Sequence, residues 1–176
     1  MALGLGGNLG AVREALTDAL LRLGAALGPL AVAPLYRTAP VSPHPQPPVL
    51  NTAVVVTTDR SPEELLALGR ELEARAGRRP GPRWGPRPLD VDLLVHGQSL
   101  RHGPDLILPH PRLRERAFVL VPLAAVAPGL PIPPDGATPA ELLARLGPVE
   151  GVERVAWGEA AARLLGLPAS VAGDGG

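Results

Sequence analysis

From Leu89 to Leu93 the chain alternates without a break, Leu89, Val91 and Leu93 against Asp90 and Asp92. A side-chain period of two is that of a half-buried β-strand, so a sheet here must be apolar on one face and acidic on the other. Residues two apart on a strand share a face, which sets the two carboxylates side by side, roughly 7 Å apart at their Cα atoms. Charges that close repel unless a cation lies between them. Two hard oxygen donors on a strand suit Mg²⁺, which takes one or two carboxylates and completes its shell with water and phosphate oxygens. Alternate aspartates also fit the solvated face of an amphipathic sheet. The loop before the strand adds Arg83, Trp84 and Arg87 among Gly and Pro, and guanidinium forks match phosphate oxygens. The stretch proposes a metal–phosphate site beside an aromatic platform, Trp84.

The rest of the composition narrows the chemistry. At 176 residues the chain is long enough for one domain with a single core. Its formal net charge is zero, which recommends neither nucleic acid nor an anionic membrane as a partner. The scarcity of aromatic residues also leaves little for base stacking. Cysteine is absent, which excludes disulfides and thiolate metal sites and fits a reducing cytoplasm. The apolar start, Ala2 to Leu5, is too short for a signal peptide and is followed by Arg13, Glu14, Asp18 and Arg22. No run approaches a transmembrane span. All 17 basic residues are arginine, so neither a P-loop lysine nor a kinase lysine is available. Phosphate chemistry would have to run on arginine, metal and backbone.

Ala2 to Leu5 reads as a first strand ending in G-G-N-L-G, whose glycines read as a tight turn before a helix. Val12, Leu16, Ala19, Leu20, Leu23 and Leu27 form the apolar stripe of that helix, and Gly28-Pro29 stops it. Leu30 to Thr38 reads as a second strand. The proline density of Ala39 to Pro48 then forbids helix and central strand, and such a loop is often a binding loop or lid. His44 within it reads as a loop residue. Val49 to Thr58 is a third strand, where Asn51 is either strand-end chemistry or an amide facing a heterocycle. Ser61-Pro-Glu-Glu64 is a capping box opening a helix to about Gly77. Glu71 and Glu73 sit against the dipole of its last turn, a hint of function for one of them. Ser99 to Arg101 suggests an edge strand. In L-I-L-P-H-P, residues 106–111, the flanking prolines hold His110 in extended backbone, for a structural or a functional role. Leu113 to Ala127 reads as a helix bearing Arg116 and Phe118, bent at Pro122. Thr138 to Glu141 caps a short helix to Leu146. From about Trp157 a further short helix is expected, then a disordered tail from Ser170 to Gly176.

Strand–helix–strand–strand–helix–strand is the order of an α+β, ferredoxin-like split βαβ, a mainly antiparallel sheet with helices packed on one face. We expect one domain over residues 1–155 and a C-terminal extension over 156–176.

Collinear fragments then carry a resemblance. G-G-N-L near the start is followed by Y-R-T-A-P at 36–40, L-N at 50–51 and R-W-G-P-R-P-L-D-V-D-L-L at 83–94. L-P-H at 108–110 and R-A-F at 116–118 complete the set. From Gly6 to about Pro148 the chain resembles the 6-hydroxymethyl-7,8-dihydropterin pyrophosphokinases of folate biosynthesis. The resemblance implies transfer of the β,γ-pyrophosphoryl group of ATP to the hydroxymethyl oxygen of the pterin, with release of AMP. It implies Asp90 and Asp92 as ligands of two Mg²⁺ ions, Arg78 and Arg87 as catalytic phosphate-binding arginines, and His110 as a phosphate contact. Trp84 would belong to a loop that closes over the nucleotide, with Glu73 and Leu93 also on the ATP side. The pterin would lie against Phe118, with Asn51 and the backbone near Thr38 and Val41 at its polar edge, and Asp90 and Arg116 close by. Val49 and Pro111 stand where family members often carry aromatics. The implied partners are ATP and the pterin alone, on a cytoplasmic protein expected to be monomeric.

Two rivals remain on the residues themselves. Another Mg²⁺-dependent transferase or hydrolase would share Asp90, Asp92 and the arginines without needing Asn51 and Phe118. A ferredoxin-like binding module would bind its ligand without metal and tolerate Asp92→Ala.

Overall fold

The computed structural model describes residues 1–81 and 85–168, so the readings made above on Arg83, Trp84 and the tail from Ser170 lie outside the described residues. Its main sheet contains β1 (Ala2–Gly7), β3 (Leu35–Thr38), β4 (Val49–Val55), β5 (Asp90–Val95) and β8 (Val152–Val155), in the order β5-β1-β4-β3-β8. All neighbours on this path run antiparallel. With α1 (Val12–Leu27) and α2 (Pro62–Arg75) as crossovers, the first four strands make the α+β, ferredoxin-like split βαβ expected from the pattern.

The helices cover both faces rather than one. On the first face Leu3, Leu5, Val54, Val91 and Leu93 pack with Leu16, Leu20 and Leu23 of α1 and with Leu65 and Leu72 of α2. On the second face Ala2, Ala53 and Leu94 pack with Leu120 and Leu123 of α3 (Ala117–Val126) and with Leu142 of α4 (Pro139–Leu146). The two layers follow from the strand period, since neighbours such as Ala53 and Val54 must face opposite ways. Each fully buried Leu or Val contributes roughly 1.5–3 kcal/mol of transfer free energy.

Local chemistry accounts for several boundaries. Ser61 and Glu64 form the capping box of α2, the Ser61 hydroxyl accepting from Glu64 N at 3.2 Å and the Glu64 carboxylate from Ser61 N at 2.8 Å. The second expected strand is interrupted, giving β2 (Ala31–Val32) and then β3. Pro34 cannot donate to the ladder, and Ala33 instead donates to Ala53 O at 2.8 Å. The expected helix from Leu113 divides into a 3₁₀ turn (Leu113–Glu115) and α3, with Arg116 extended between them at φ −108°. The edge strand shifts to β6 (Arg101–His102), paired with β7 (Ile107–Leu108).

β8 was not foreseen, because Val152-Glu-Arg-Val155 has only intermediate burial at its two valines and no apolar face. It pairs with β3 through the main chain, and Arg37 Nη2 meets Glu153 Oε2 across the pair at 2.6 Å. After it, Trp157 and α5 (Glu159–Leu165) join the first core layer through Trp157, Ala161 and Ala162. No helix among the described residues is long and apolar enough to cross a membrane.

Strand β5 carries a bulge. Ala2 faces Val95 while Leu3 faces Leu93, so Leu94 is an extra residue on β5. Its carbonyl, turned off the ladder, accepts from His110 N at 2.9 Å.

The segment beyond His110 is tied down by Arg114, whose guanidinium donates to both oxygens of Asp135 at 3.0 and 2.6 Å and to Pro133 O at 3.1 Å. The Arg114 hydrogen bonds, aided by Ala137 N–H, lower the Asp135 pKa to about 2 from 3.8. A depressed carboxylate stabilises the fold above its unfolded pKa and loses that effect as pH falls through the folded one. Asp135→Asn is therefore expected to be less stable than the parent near neutral pH. In urea melts the difference should shrink from about pH 4 and vanish by about pH 2, following the shift to about 2.

Candidate active site

The second face of the sheet is bare at the end away from α3 and α4, and its floor is built in rows. Across three strands Asp90 faces Gly6 and Gly6 faces Asn51, while one step along Asp92 faces Gly4 and Gly4 faces Ala53. The strand order puts a glycine in the middle of each row, flanked by a carboxylate on one side. With no side chain on the central strand, a trough runs from Asp90 to Asn51, two strand spacings or roughly 10 Å. Gly6 is crowded, since a Cβ there would lie 2.7 Å from Asn51 Oδ1 and would displace the Asn51 amide. The glycines of the G-G-N-L-G run thus split in their work. Gly10 takes the turn at φ +72°, whereas Gly6 and Gly7 belong to β1.

Gly7 is tighter still, since a Cβ would lie 2.4 Å from the Pro88 carbonyl oxygen. Backbone cannot swing aside as a side chain can. Gly7→Ala is expected to cost about 1–3 kcal/mol, as overpacking does. A shift of the urea midpoint would measure it, and an unchanged midpoint would show that the Pro88 segment yields freely.

The trough opens into a cavity of about 370 Å³. Thr38, Val41, Asn51, Arg116 and Phe118 line it together with Arg87, Asp90, Asp92 and His110. A second cavity of about 720 Å³ adjoins it, lined by Glu73, Arg78 and Arg79 and sharing Gly85 and Arg87 with the first.

Asp90 is the electrostatic hub. Arg78 Nη1 donates to its Oδ1 at 2.5 Å, and Arg87 Nη1 reaches both carboxylate oxygens at 3.0 Å. Asp92, one step along, opens onto the cavity. The protein walls around it and the charge of Asp90 push its pKa up, while His110, Arg116 and Arg78 pull it down. The balance stays on the raised side, so the charged form lacks a full counterweight from the protein.

Glu73 reaches over from α2. Its carboxylate accepts from Val91 N at 2.9 Å, satisfying a donor on the outer edge of β5, and pairs with Arg78 Nη1. Burial raises its pKa against these two contacts. Of the two glutamates that ran against the helix dipole, Glu73 is the one tied to the site, and it joins α2, β5 and Arg78.

His110 is fixed by the Leu94 carbonyl and by Arg112 N, which donates to its Nδ1 at 3.2 Å. Burial and the neighbouring Arg116 and Arg112 lower its pKa against the pull of Asp92. With Nδ1 taken up as acceptor, a neutral ring would carry its proton on Nε2. Across the cavity Asn51 Nδ2 donates to Thr38 Oγ1 at 2.8 Å, in a buried pair that fixes the amide. The Arg116 guanidinium lies 5.3 Å from the centre of the Phe118 ring, within cation–π range.

Most of the residues read as a site therefore meet. Leu93 does not, for its side chain points into the first core layer away from the cavity, as its parity with Val91 requires. Trp84 lies outside the described residues. Sequence reading passed over Gly4 and Arg112, both on the cavity wall. Gly4 gives no local signal, but Arg112 stands in the run Arg112-Leu-Arg-Glu-Arg116, whose alternate arginines were the available clue.

The sequence model of the family described as 7,8-dihydro-6-hydroxymethylpterin-pyrophosphokinase matches residues 2–128. A protein of Methylorubrum extorquens named 2-amino-4-hydroxy-6-hydroxymethyldihydropteridine pyrophosphokinase is 44% identical over 155 residues, covering 87% of this chain and 96% of the relative. One of the same name from Pseudomonas aeruginosa is 43% identical over 154 residues, covering 86% and 93%. A mitochondrial folate synthesis bifunctional protein of Arabidopsis thaliana is 49% identical over 89 residues, covering 51% of this chain and 16% of that longer protein. A match through β1, the trough and α3, together with full-length relatives at this identity, makes the chain a member of the 7,8-dihydro-6-hydroxymethylpterin-pyrophosphokinase family.

Proposed function

We propose that the protein transfers the β,γ-pyrophosphoryl group of ATP to the hydroxymethyl oxygen of 6-hydroxymethyl-7,8-dihydropterin, a step of folate biosynthesis. The substrate oxygen bonds to the β-phosphorus as the bond from that phosphorus to the α,β-bridging oxygen breaks. AMP leaves with the bridging oxygen, and the hydroxyl proton passes to solvent. The observation that carries this reading is the Asp90–Gly6–Asn51 row, an acidic end and an amide end joined by a floor without side chains.

Each end supports its own substrate. The heterocycle would lie along the trough against Phe118, with Asn51, Thr38 and the backbone at Val41 meeting its donors and acceptors and Arg116 beside it. The nucleotide would lie toward Glu73 and Arg78, its phosphates met by Arg78, Arg87 and His110, and Trp84 would belong to the loop that closes over it.

Asp90 and Asp92 fit Mg²⁺ by donor chemistry, being hard oxygens on one strand face with Asp92 left short of counter-charge. Mg²⁺ held by these two carboxylates would complete its shell with water and phosphate oxygens. Two ions held there would neutralise charge on the attacking and leaving oxygens. The protein's own part is placement, with arginine forks holding the phosphates in line and the trough holding the acceptor oxygen against them. Neither the trough nor the arginines require a second chain or a membrane, and we read the protein as a cytoplasmic monomer.

The test is product analysis. With ATP, Mg²⁺ and 6-hydroxymethyl-7,8-dihydropterin, AMP and a pterin diphosphate should form together, and neither should form without the pterin. ADP or free phosphate in their place would remove pyrophosphoryl transfer.

A further inference from the structure

Asn8 lines the cavity but has no part in the substrate-facing roles above, and it makes hydrogen bonds to two separate loops. It is buried, with 9% of its surface exposed. Its backbone N–H donates to Arg87 O at 2.9 Å, and its Oδ1 accepts from Arg87 N at 2.9 Å, closing a ring of two hydrogen bonds on the Arg87 main chain. The other end of the same amide points elsewhere. Nδ2 donates to Gln46 Oε1 at 3.1 Å and to Pro47 O at 3.2 Å, and Gln46 in turn donates to Ser42 Oγ at 2.9 Å.

These contacts join the two ends of the cavity. Arg87 carries the guanidinium that rests on Asp90, at the phosphate end. Ser42, Gln46 and Pro47 belong to the proline-rich loop that also carries Val41 at the heterocycle end. We propose that Asn8 is a positioning residue that sets the spacing between the two substrates by clasping both loops. The proposal rests on the proposed function for what lies at each end. An amide is the side chain suited to the place, offering an acceptor and a two-hydrogen donor at one tip. In-line transfer is sensitive to such spacing, since a misplacement of about 1 Å can cost about 10²-fold in rate.

The two halves of the clasp can be cut separately. Asn8→Asp keeps an acceptor for Arg87 N–H and loses both donors to the proline-rich loop. Asn8→Ala loses everything but the backbone bond. The readouts are kcat, KM for each substrate, and calorimetric binding of the pterin and of an ATP analogue with a methylene between the α- and β-phosphorus. Urea melts of each variant establish the folded fraction. For Asn8→Asp we expect the pterin KM and Kd to rise about tenfold, the loss of two neutral hydrogen bonds, while binding of the analogue changes by less than about threefold. For Asn8→Ala we expect the same pterin defect with kcat lowered by about 10²-fold.

A merely structural role would lower the urea midpoint and leave every constant, per folded molecule, within about twofold of the parent. That result overturns the proposal, as would equal defects of both variants toward both ligands. Parent protein run alongside separates the two claims. If the parent forms no AMP, the reaction is withdrawn, and the binding data still decide for or against the clasp.

Discussion

Asp92→Ala is expected to cut pterin-dependent AMP formation by about 10³-fold or more, the scale on which losing a major electrostatic contact to developing charge is felt. The same change should not weaken the fold. Asp92 opens onto the cavity, and its pKa is raised by the surrounding walls and by Asp90. Asp92 is exposed on the cavity wall, so its truncation opens no hole in the core. The urea midpoint of the variant, without nucleotide or metal, should match or exceed that of the parent. Asp92→Asn should behave alike, because it keeps the shape but lacks the charge that a hard cation requires. Calorimetry supplies the second reading, with Mg²⁺ strengthening binding of the ATP analogue to the parent and much less so to either variant. Turnover within tenfold of the parent in a folded Asp92→Ala protein would remove the two-carboxylate site.

Arg87→Ala should be nearly as damaging, with kcat lowered by about 10³-fold, the low end of what an arginine on a transferring phosphoryl group supplies. Arg87 Nη1 lies 3.0 Å from both oxygens of Asp90. A cation at Asp90 would compete for those oxygens and leave the fork free for phosphate. Arg78 bonds to the same Oδ1, so Asp90 keeps a partner in the variant. The Arg87 main chain remains held by Asn8, so truncating the side chain should not release the loop. Arg87→Lys restores the charge but not the planar fork, and little activity should return. Recovery to within a few fold of the parent would show that Arg87 contributes charge alone.

How much of this was legible depended on the range of each determinant. The D-V-D alternation, the Ser61 and Thr138 caps and the stop at Gly28 are local chemistry, and they emerge where the sequence put them. The helices' distribution over two faces is not local. Alternation shows that β5 has an apolar side, but the second layer forms from Ala2, Ala53 and Leu94, which become neighbours only when three strands pair. Gly4 escaped notice, and Gly6 read as a turn glycine rather than part of β1, for a related reason. A glycine that keeps space open has no side chain to signal it, and its partners Asp92, Asp90 and Asn51 lie tens of residues away. Asn8 looked like part of a turn, since its four hydrogen bonds reach residues 46, 47 and 87. The side of the strand taken by Leu93 was legible too, since its parity with Leu89 and Val91 sends its side chain into the first core layer.

The bulge at Leu94 gives the sheet a means of checking its own assembly. Beyond it β5 and β1 stand in a fixed offset, with Asp90 on Gly6 and Asp92 on Gly4. If β5 paired one residue out of step during folding, every side chain would change face. Asp90 and Asp92 would be driven in among Leu16, Leu20 and Leu65, against an effective penalty of several kcal/mol for each buried ion. The displaced strand would also lose the Glu73 contact to Val91 N–H and the His110 contact to the Leu94 carbonyl. The carboxylates proposed for chemistry thus act during folding as proofreaders of strand pairing, and a variant carrying leucine at both positions should lose that discrimination along with its activity.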